Sequence, residues 1–493
     1  MSSQPSSSTQ PAGAASAAAP ADPIDSRKGG LGLLMFVLIT AAVAFQLNAS
    51  MLGPVLRTMA QELNTDEAAA GLTQTAFFTG GAMCGLFLPR LSDIIGRRKV
   101  LLFMLGLMAL GGFLAALAPN IHLLIAARAL QGVAGPTIPM TLIILRSQVK
   151  NEVRLGTLMG LLAAINGGVA GIDVILSGWM ADHLGFRSVF WLIGAIGLLA
   201  VAVVALWAPE SKPSDNVRMD WAGAAILVVS VLSITWAVNE AGKGGAANWL
   251  MVLGLFVFGL IVFAGFWTYE NRHDHPLVAP KYLRRRTTWG LLLTTVLTMT
   301  GVFAAVNGVA LSLAQNSDAG FGMKPDTASL ALLTPYAIIG WLVGPFAGRW
   351  APRVGYARLL RIGNIASAAL LLLLAIIGIH SKWALILAVI LLGITYAGIG
   401  NIVLNNLGVV NSPADNEGFL PGMNSAAFNL GAGISFAILP AVMVVGSPMG
   451  SDSTAGYTSA FILGAVILGV SVAASFFIPR DVTVHRDVDA PVN

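Results

Sequence analysis

Long apolar runs separated by short polar breaks recur along the whole chain, and this pattern predicts a bundle of hydrophobic helices. A helix crosses the hydrocarbon core of a bilayer with about 20 mostly apolar residues. Runs of that length fall at roughly 31–55, 69–89, 99–118, 121–146, 156–181, 187–207, 221–239, 248–269, 288–314, 327–350, 358–380, 383–409, 423–446 and 456–478, fourteen in all. The predicted fold class is therefore an all-α polytopic membrane protein. Trp179, Trp207, Trp221, Trp249, Trp267, Trp289 and Trp383 fall near predicted helix ends, where amphipathic rings anchor at the membrane–water interface.

Composition agrees with the pattern. Of 493 residues, 56% are hydrophobic and 10% are charged, against roughly a quarter charged in soluble domains. The net charge of +5 calls for no nucleic-acid partner, because cytoplasmic loops of membrane proteins accumulate Lys and Arg. With both termini placed in the cytoplasm, inner segments and helix ends hold 22 of the 28 cations, and outer segments hold five: Arg57, Arg187, Lys243, Lys324 and Lys382. Arg128 alone is left within the membrane. A missed or invented helix would invert every later loop and erase this bias.

Residues 1–28 are rich in Ser, Ala and Pro and are expected to form a disordered cytoplasmic tail. They lack the basic start and apolar core of a signal peptide, so the first helix is expected to be an uncleaved anchor. The single cysteine, Cys84, lies in an apolar run and is expected to be a packing residue. Loops of at most about 20 residues leave no room for a soluble catalytic domain. Metal-ligand clusters, Walker loops and nucleotide fingerprints are missing from the sequence. The expectation is a non-enzyme without a bound cofactor, driven by a proton gradient and not by ATP.

The halves of the chain repeat. "PRLSDIIGRRK" at 89–99 and "GRWAPRVGYAR" at 348–358 place Arg90 and Gly96 opposite Arg349 and Gly355, with the same spacing of six and an offset of 259 residues. Removing an insert between about 215 and 275 leaves an offset of roughly 200 residues, about one six-helix half. The expected organisation is a tail (1–28), an N-terminal six-helix bundle (29–210), a two-helix insert (211–280), a C-terminal six-helix bundle (281–480) and a second tail (481–493). Parallel repeats of six helices around a midplane site are a recurrent transporter plan. In the first loop, Asp93 can accept from a neighbouring helix N-terminus or pair with Arg97, a contact able to hold one conformation and release in another.

These residues carry a resemblance. Asp93, Gly96, Arg97 and Arg98 resemble the signature loop of the major facilitator superfamily, and "RALQGVAG" at 128–135 resembles its fourth-helix motif through Arg128, Gln131 and Gly132. "MDWAG" at 219–223, "ENRHDHPLV" at 270–278 and "EGFLPGMNSAAFNLGAGISFA" at 417–437 resemble the fourteen-helix drug:proton antiporter branch. The resemblance covers nearly the whole chain and implies fourteen helices in two bundles plus an insert, a multi-pass protein of the inner (plasma) membrane, and alternating access. It implies a conformational-switch loop formed by Arg90, Asp93, Gly96, Arg97 and Arg98. The sequence departs from the branch in three places. The first helix offers Gln46 and Asn48 in place of an Asp, Pro352 replaces the acidic residue of the second loop, and the Gly-Pro start of the fifth-helix antiporter motif is Asp173-Val174.

Asp173 stands in an uncharged run from Leu155 to Met180. A charge at the centre of a membrane helix costs roughly 2.5–3.5 kcal/mol on insertion scales, so it must pair, protonate or face water. Asn166, Ala170, Asp173 and Ser177 follow i, i+4, i+7, i+11 and form one small or polar stripe. Arg128, Gln131 and Gly135 form another on the fourth helix. Counting from the outer ends puts Arg128 roughly 10 Å deep and Asp173 roughly 12 Å deep, at 1.5 Å per residue. The expectation is that Asp173 is the counter-ion of Arg128. Two readings stand open: a structural one, in which Asp173 is a static ion-pair partner or is protonated at all times and merely hydrogen-bonded, and a functional one, in which a proton-titrating pair faces the cavity beside Gln131 and Asn166. Gln46, Asn48, Asn401, Asn405 and Asn424 are candidates for a substrate cavity, with interhelical hydrogen bonding as the alternative for the asparagines. His122 and His380 fall at outer interfaces and are expected to be solvated.

The expected partners are a small-molecule substrate, protons and the lipid bilayer, without nucleic acid, around a monomer. Three functions remain open: proton-coupled export of amphipathic compounds, implied by the branch resemblance; proton-coupled uptake of a small organic solute, suggested by the broken antiporter motif; and a sensor or scaffold that transports nothing.

Overall fold

The structure is a computed structural model and describes residues 30–149, 151–211, 219–242, 247–273, 280–412, 419–448 and 451–479. Both predicted tails and parts of the insert loops, including most of 270–278, lie outside these residues. Among the described residues every regular element is helical. Among the described residues, thirteen helices are long and apolar enough to cross a membrane. They are α1 (Leu31–Glu62), α3 (Arg97–Ala116), α4 (Ile121–Gln148), α5 (Arg154–Leu184), α6 (Phe186–Trp207), α7 (Trp221–Ala241), α8 (Trp249–Glu270), α9 (Arg286–Gln315), α10 (Pro325–Val354), α11 (Tyr356–Gly378), α12 (Lys382–Val410), α13 (Phe419–Gly446) and α14 (Ala455–Phe477). The fourteenth predicted span is α2 (Glu67–Ile95), equally long but richer in polar residues, with Thr73, Gln74, Thr75 and Thr79 all buried. Its polar face turns inward, so it belongs to the bundle's core seam and not to the lipid face.

Helix ends obey local chemistry. Asp66, Asn120, Asn151, Asn248 and Ser381 each accept a hydrogen bond from the backbone N–H three residues on, closing a helix N-terminus. The internal repeat is written into the backbone. Gly96 ends α2 at φ +109° and Gly355 ends α10 at φ +96°, each allowing a reversal straight into the next helix. At Gly96 a Cβ would stand 2.6 Å from the Glu210 Oε1 atom, a flexible side-chain end that can yield, so the positive φ alone calls for glycine there.

Helices α1–α6 and α9–α14 form two bundles that pack chiefly through α2 on α13, with α5 against α10 on the opposite seam. In each bundle the third helix packs on the sixth, α3 on α6 and α11 on α14. Both contacts are closed at the cytoplasmic end by an arginine. Arg98 donates to the Ala205 carbonyl at the end of α6, and Arg361 donates to the Ser475 carbonyl (3.1 Å) and hydroxyl (3.0 Å) at the end of α14. Cations there complement the helix C-termini.

The insert hairpin α7–α8 leans on α2 and α13 at the seam. Ser230 donates to the Gly259 carbonyl across the hairpin (2.8 Å), and Leu227 and Phe266 pack with Leu86, Phe419 and Met423. The outer face of α8 exposes Leu250, Leu253, Phe258 and Ile261, as a lipid-facing helix does. Cys84 is buried among Leu88, Val100, Met104 and Met140, as a small packing residue. Trp179, Trp207, Trp221, Trp249, Trp289 and Trp383 are all exposed at helix ends. His122 and His380 are exposed.

Candidate functional site

Arg128 is fully buried on α4, at 0% exposure. Its guanidinium lies 4.2 Å over the ring of Phe77 and donates to Gln131 Oε1, to Asn48 Oδ1 and, at 2.6 Å, to Gln74 Oε1. Three amide oxygens from α1, α2 and α4 thus solvate one cation, and the aromatic face covers it. The close approach that assembles this cage comes from glycine. A Cβ on Gly132 would stand 2.4 Å from the Phe77 carbonyl, and one on Gly135 would stand 2.3 Å from the Gly81 Cα. The glycines of the fourth-helix motif therefore let α2 and α4 touch backbone to backbone.

Asp173 is also buried, but Arg128 is not its partner. Ser50 Oγ donates to Asp173 Oδ2, and Gln46 Nε2 donates to Ser50 Oγ at 3.1 Å. Asp173 Oδ1 is buried and unpaired. The expected Arg128–Asp173 ion pair is thus not formed, and the reason is geometric. Both residues reach the same level of α1, at Asn48 and Ser50. Side chains two residues apart on a helix point about 160° away from one another, so α1 stands between the two groups and presents Asn48 to one and Ser50 to the other. The depth comparison held, and the lateral placement did not.

The other candidates divide. Asn166 is half-buried with its Oδ1 atom unpaired, and Gln46 is half-buried in the Ser50–Asp173 chain. Asn48 is fully buried as a ligand of Arg128 and not a cavity-lining residue. Asn424 is likewise structural: it accepts from Thr295 (2.6 Å) and donates to the Leu404 carbonyl (3.2 Å). Asn405 is exposed and donates to the side chain and carbonyl of Asn401, both at 2.9 Å, a contact within one helix and not between helices.

On the cytoplasmic loop, Asp93 pairs with Arg97 (3.1 Å), and Arg97 also reaches the Ile143 carbonyl at the inner end of α4 (3.4 Å). The backbone N–H of Arg97 donates to Ser211 Oγ (2.9 Å), so this loop ties α2, α4 and the segment after α6 together.

The seam between α5 and α10 is shut at its outer end. A Cβ on Gly178 would stand 2.6 Å from the Pro325 carbonyl, Lys324 pairs with Asp182 (3.4 Å), and Gln315 Nε2 donates to the Pro54 carbonyl (3.1 Å). Halfway along, Gly167 meets Trp341 and Gly171 meets Ala337 and Ile338. Toward the cytoplasm, Gly160 and Gly156 face nothing within 4 Å. Contacts between α5 and α10 are thus close at the outer end and halfway along, and are not made at Gly160 and Gly156.

Sequence reasoning missed a buried network at the outer end. Arg57 pairs with Glu67 at 2.6 Å, both buried, while Ser312 and Asn316 of the other bundle hold the Tyr457 hydroxyl at 3.0 and 2.9 Å. Arg57 counted as an ordinary outer-loop cation in the sequence; only its neighbours reveal the pair.

Comparisons with known proteins agree with this architecture. The family description "Major Facilitator Superfamily" matches residues 38–315 and 291–491. A uridine/deoxyuridine transporter of Lactococcus lactis subsp. cremoris (strain MG1363) is 46% identical over 457 residues, 92% of this chain and 95% of that protein. The multidrug resistance protein Stp of Mycobacterium tuberculosis is 26% identical over 84% of this chain and 74% of its own length. Among solved structures, the nucleoside transporter NupG superposes with a TM-score of 0.61 at 14% identity, covering 90% of this chain and 99% of that one, which speaks to the fold alone. The chain belongs to the Major Facilitator Superfamily and is a multi-pass membrane transporter, not an enzyme.

Proposed function

We propose that the protein moves pyrimidine nucleosides of the uridine type into the cell, coupled to protons through Asp173. The observation that carries this reading is the 46% identity, over almost the full length of both chains, to a uridine/deoxyuridine transporter. The site chemistry supports it. Gln46, Ser50 and Asn166 offer uncharged donors and acceptors at half-buried positions, the kind of group that hydrogen-bonds the hydroxyls of a neutral nucleoside. The Gly-Pro start expected of a fifth-helix antiporter motif is replaced by Asp173-Val174, which favours uptake over export.

Asp173 is assigned the proton site because it has a hydroxyl partner and no cation. An ionised carboxylate so placed carries a membrane penalty of roughly 2.5–3.5 kcal/mol. Proton loading removes that penalty, so loading favours the closed surroundings and release requires access to water. Arg128, Gln131 and Gln74 are assigned a structural role beside it, and Arg90, Asp93, Gly96, Arg97 and Arg98 the conformational switch. The coupling ion is the only helper the reading needs, and a monomer carries the whole path.

The test is radiolabelled uridine uptake by proteoliposomes of the purified chain, with and without an inward proton gradient. Gradient-driven accumulation is expected for the wild type. Asp173→Asn should keep uridine counterflow and lose accumulation. No uridine movement by the wild type sinks the reading. Proton-driven export of amphipathic drugs is the second reading, favoured by relatives such as Stp at 26% identity. It would be upheld by drug accumulation in inverted vesicles in place of uridine uptake.

A further inference from the structure

Six phenylalanines meet between the bundles. Phe45 stacks on Phe77, and Phe77 stands edge-on to Phe78 with ring centres 5.1 Å apart. Phe78 touches Phe303 (5.3 Å) and lies parallel to Phe436 (6.4 Å), while Phe303 also touches Phe428 (6.2 Å) and Phe436 (5.9 Å). Phe77, Phe78 and Phe436 are buried, but Phe303 and Phe428 are only half-buried. Phe303 and Phe428 therefore keep part of their surface uncovered within the contact between the two bundles.

The polar chain lies at the same depth. Helices α1 and α9 both run outward, and a Cβ on Gly53 of α1 would stand 2.9 Å from the Asn307 carbonyl of α9. Ser50 lies about one turn before that contact on α1, and Phe303 about one turn before it on α9. Asn307 Nδ2 donates to the Phe303 carbonyl (2.9 Å) at the edge of a π-helical segment, Ala305–Ala310, which widens the helix there. At this level α9 and α13 thus offer aromatic rings, and α1 and α5 carry amide, hydroxyl and carboxyl groups.

We infer that the half-buried rings of Phe303 and Phe428 form the wall on which the pyrimidine base stacks, with the sugar turned toward Gln46, Ser50 and Asp173. This rests on the nucleoside reading above and assigns two residues to its specificity. A planar base gains on the order of tenfold to a hundredfold in affinity from an aromatic face, whereas a bare sugar gains little.

The test compares uridine with ribose as competitor in proteoliposomes of the full chain. Phe303→Leu keeps apolar volume and removes the π-face. It should raise the uridine KM about tenfold or more, equivalent to ~1.4 kcal/mol, with Vmax within about twofold and ribose competition unchanged. Phe303→Tyr should stay near the wild type, and Phe428→Leu should raise the uridine KM by a smaller factor. If Phe303→Leu does not reconstitute, Phe428→Leu and Phe303→Tyr decide. Wild-type uridine flux with unchanged KM in the leucine variants overturns the stacking wall alone. Absence of wild-type uridine flux overturns the nucleoside reading beneath it.

Discussion

The two bundles share a plan and differ in chemistry. Both turn on a positive-φ glycine, Gly96 or Gly355, and both close their third-to-sixth helix contact with an arginine. Among the described residues, however, every buried Asp, Glu or Arg lies before residue 280: Arg57, Glu67, Arg128 and Asp173 in the N-terminal bundle, and Asp220, Glu240 and Glu270 in the insert. The C-terminal bundle instead holds a neutral core network in which Asn364 donates to Thr298 (2.9 Å) and Ser471 (3.2 Å), and Ser367 donates to Thr395 (2.9 Å). It also contains all four π-helical segments of the described chain, at Ala305–Ala310, Ser329–Leu333, Leu374–Gly378 and Gly393–Gly400. A π-turn loosens the regular hydrogen-bond ladder and often marks a functional site. Charge is concentrated in one half and irregular, adjustable helix in the other. In the proton-coupled mechanism proposed above, that division would put proton handling in the N-terminal bundle and the fitting of the substrate in the C-terminal one.

The comparison breaks most severely at Arg128. Arg128→Met should strip the cation from three amide oxygens and leave each buried acceptor short of a donor. At roughly 1.5–3 kcal/mol for a hydrogen bond to a charged group, the variant is expected to lose most of its monodisperse yield in detergent. Asn364→Ala in the neutral network should cost less, about 1–3 kcal/mol, seen as a smaller drop in apparent Tm. Equal effects would erase the charge asymmetry. Combining Arg128→Gln with Asp173→Asn should give losses that add to within about 0.5 kcal/mol. A coupling above ~1 kcal/mol would restore the direct pair that α1 separates here.

Glycine substitutions come next. Gly135→Ala drives a methyl group into the Gly81 backbone at 2.3 Å, and should lower thermal stability by about 1–3 kcal/mol, in the range of overpacked cores. Gly160→Ala faces open space and should be neutral or slightly stabilising, since alanine favours helix by about 1 kcal/mol. Gly178→Ala is the intermediate case, because it wedges the outer end of the seam between bundles. It should shift the carrier toward outward opening. The readout is outer-side labelling of a cysteine introduced at position 182 in a Cys84→Ser background, with faster labelling in the Gly178→Ala variant. Unchanged labelling would mean that this seam does not gate.

The smallest effect is expected at the switch loop. Asp93→Asn removes one partly exposed i,i+4 pair, worth about 0.3–0.5 kcal/mol. Uridine affinity should hold while turnover slows. A collapse of affinity at normal maximal rate would move Asp93 from the switch to the binding site.

Much of this was legible in the chain. Apolar runs of membrane length set the helices, cations set their orientation, and the Arg90–Gly96 spacing repeated at Arg349–Gly355 set the two bundles. Motif resemblance reached the superfamily. It also pointed to a drug-antiporter branch, whereas the 46% identical relative is a nucleoside transporter and multidrug proteins stand at 26%. Helices line up by superfamily rules, but the substrate is read by a handful of side chains that those motifs do not include.

What the sequence determined by itself was position along each helix, because a residue rises 1.5 Å whatever surrounds it. It put Arg128 and Asp173 at one depth, and they are. Only the tertiary structure decided which neighbour stands around each helix at that depth. The packing of α1 and α2 around α4 gave Arg128 to Asn48 and Gln74, and the packing of α1 on α5 gave Asp173 to Ser50. The same packing buried Arg57 against Glu67 at the outer end. Depth is a local property of the chain, whereas the partner across a helix is set by contacts between residues far apart in sequence.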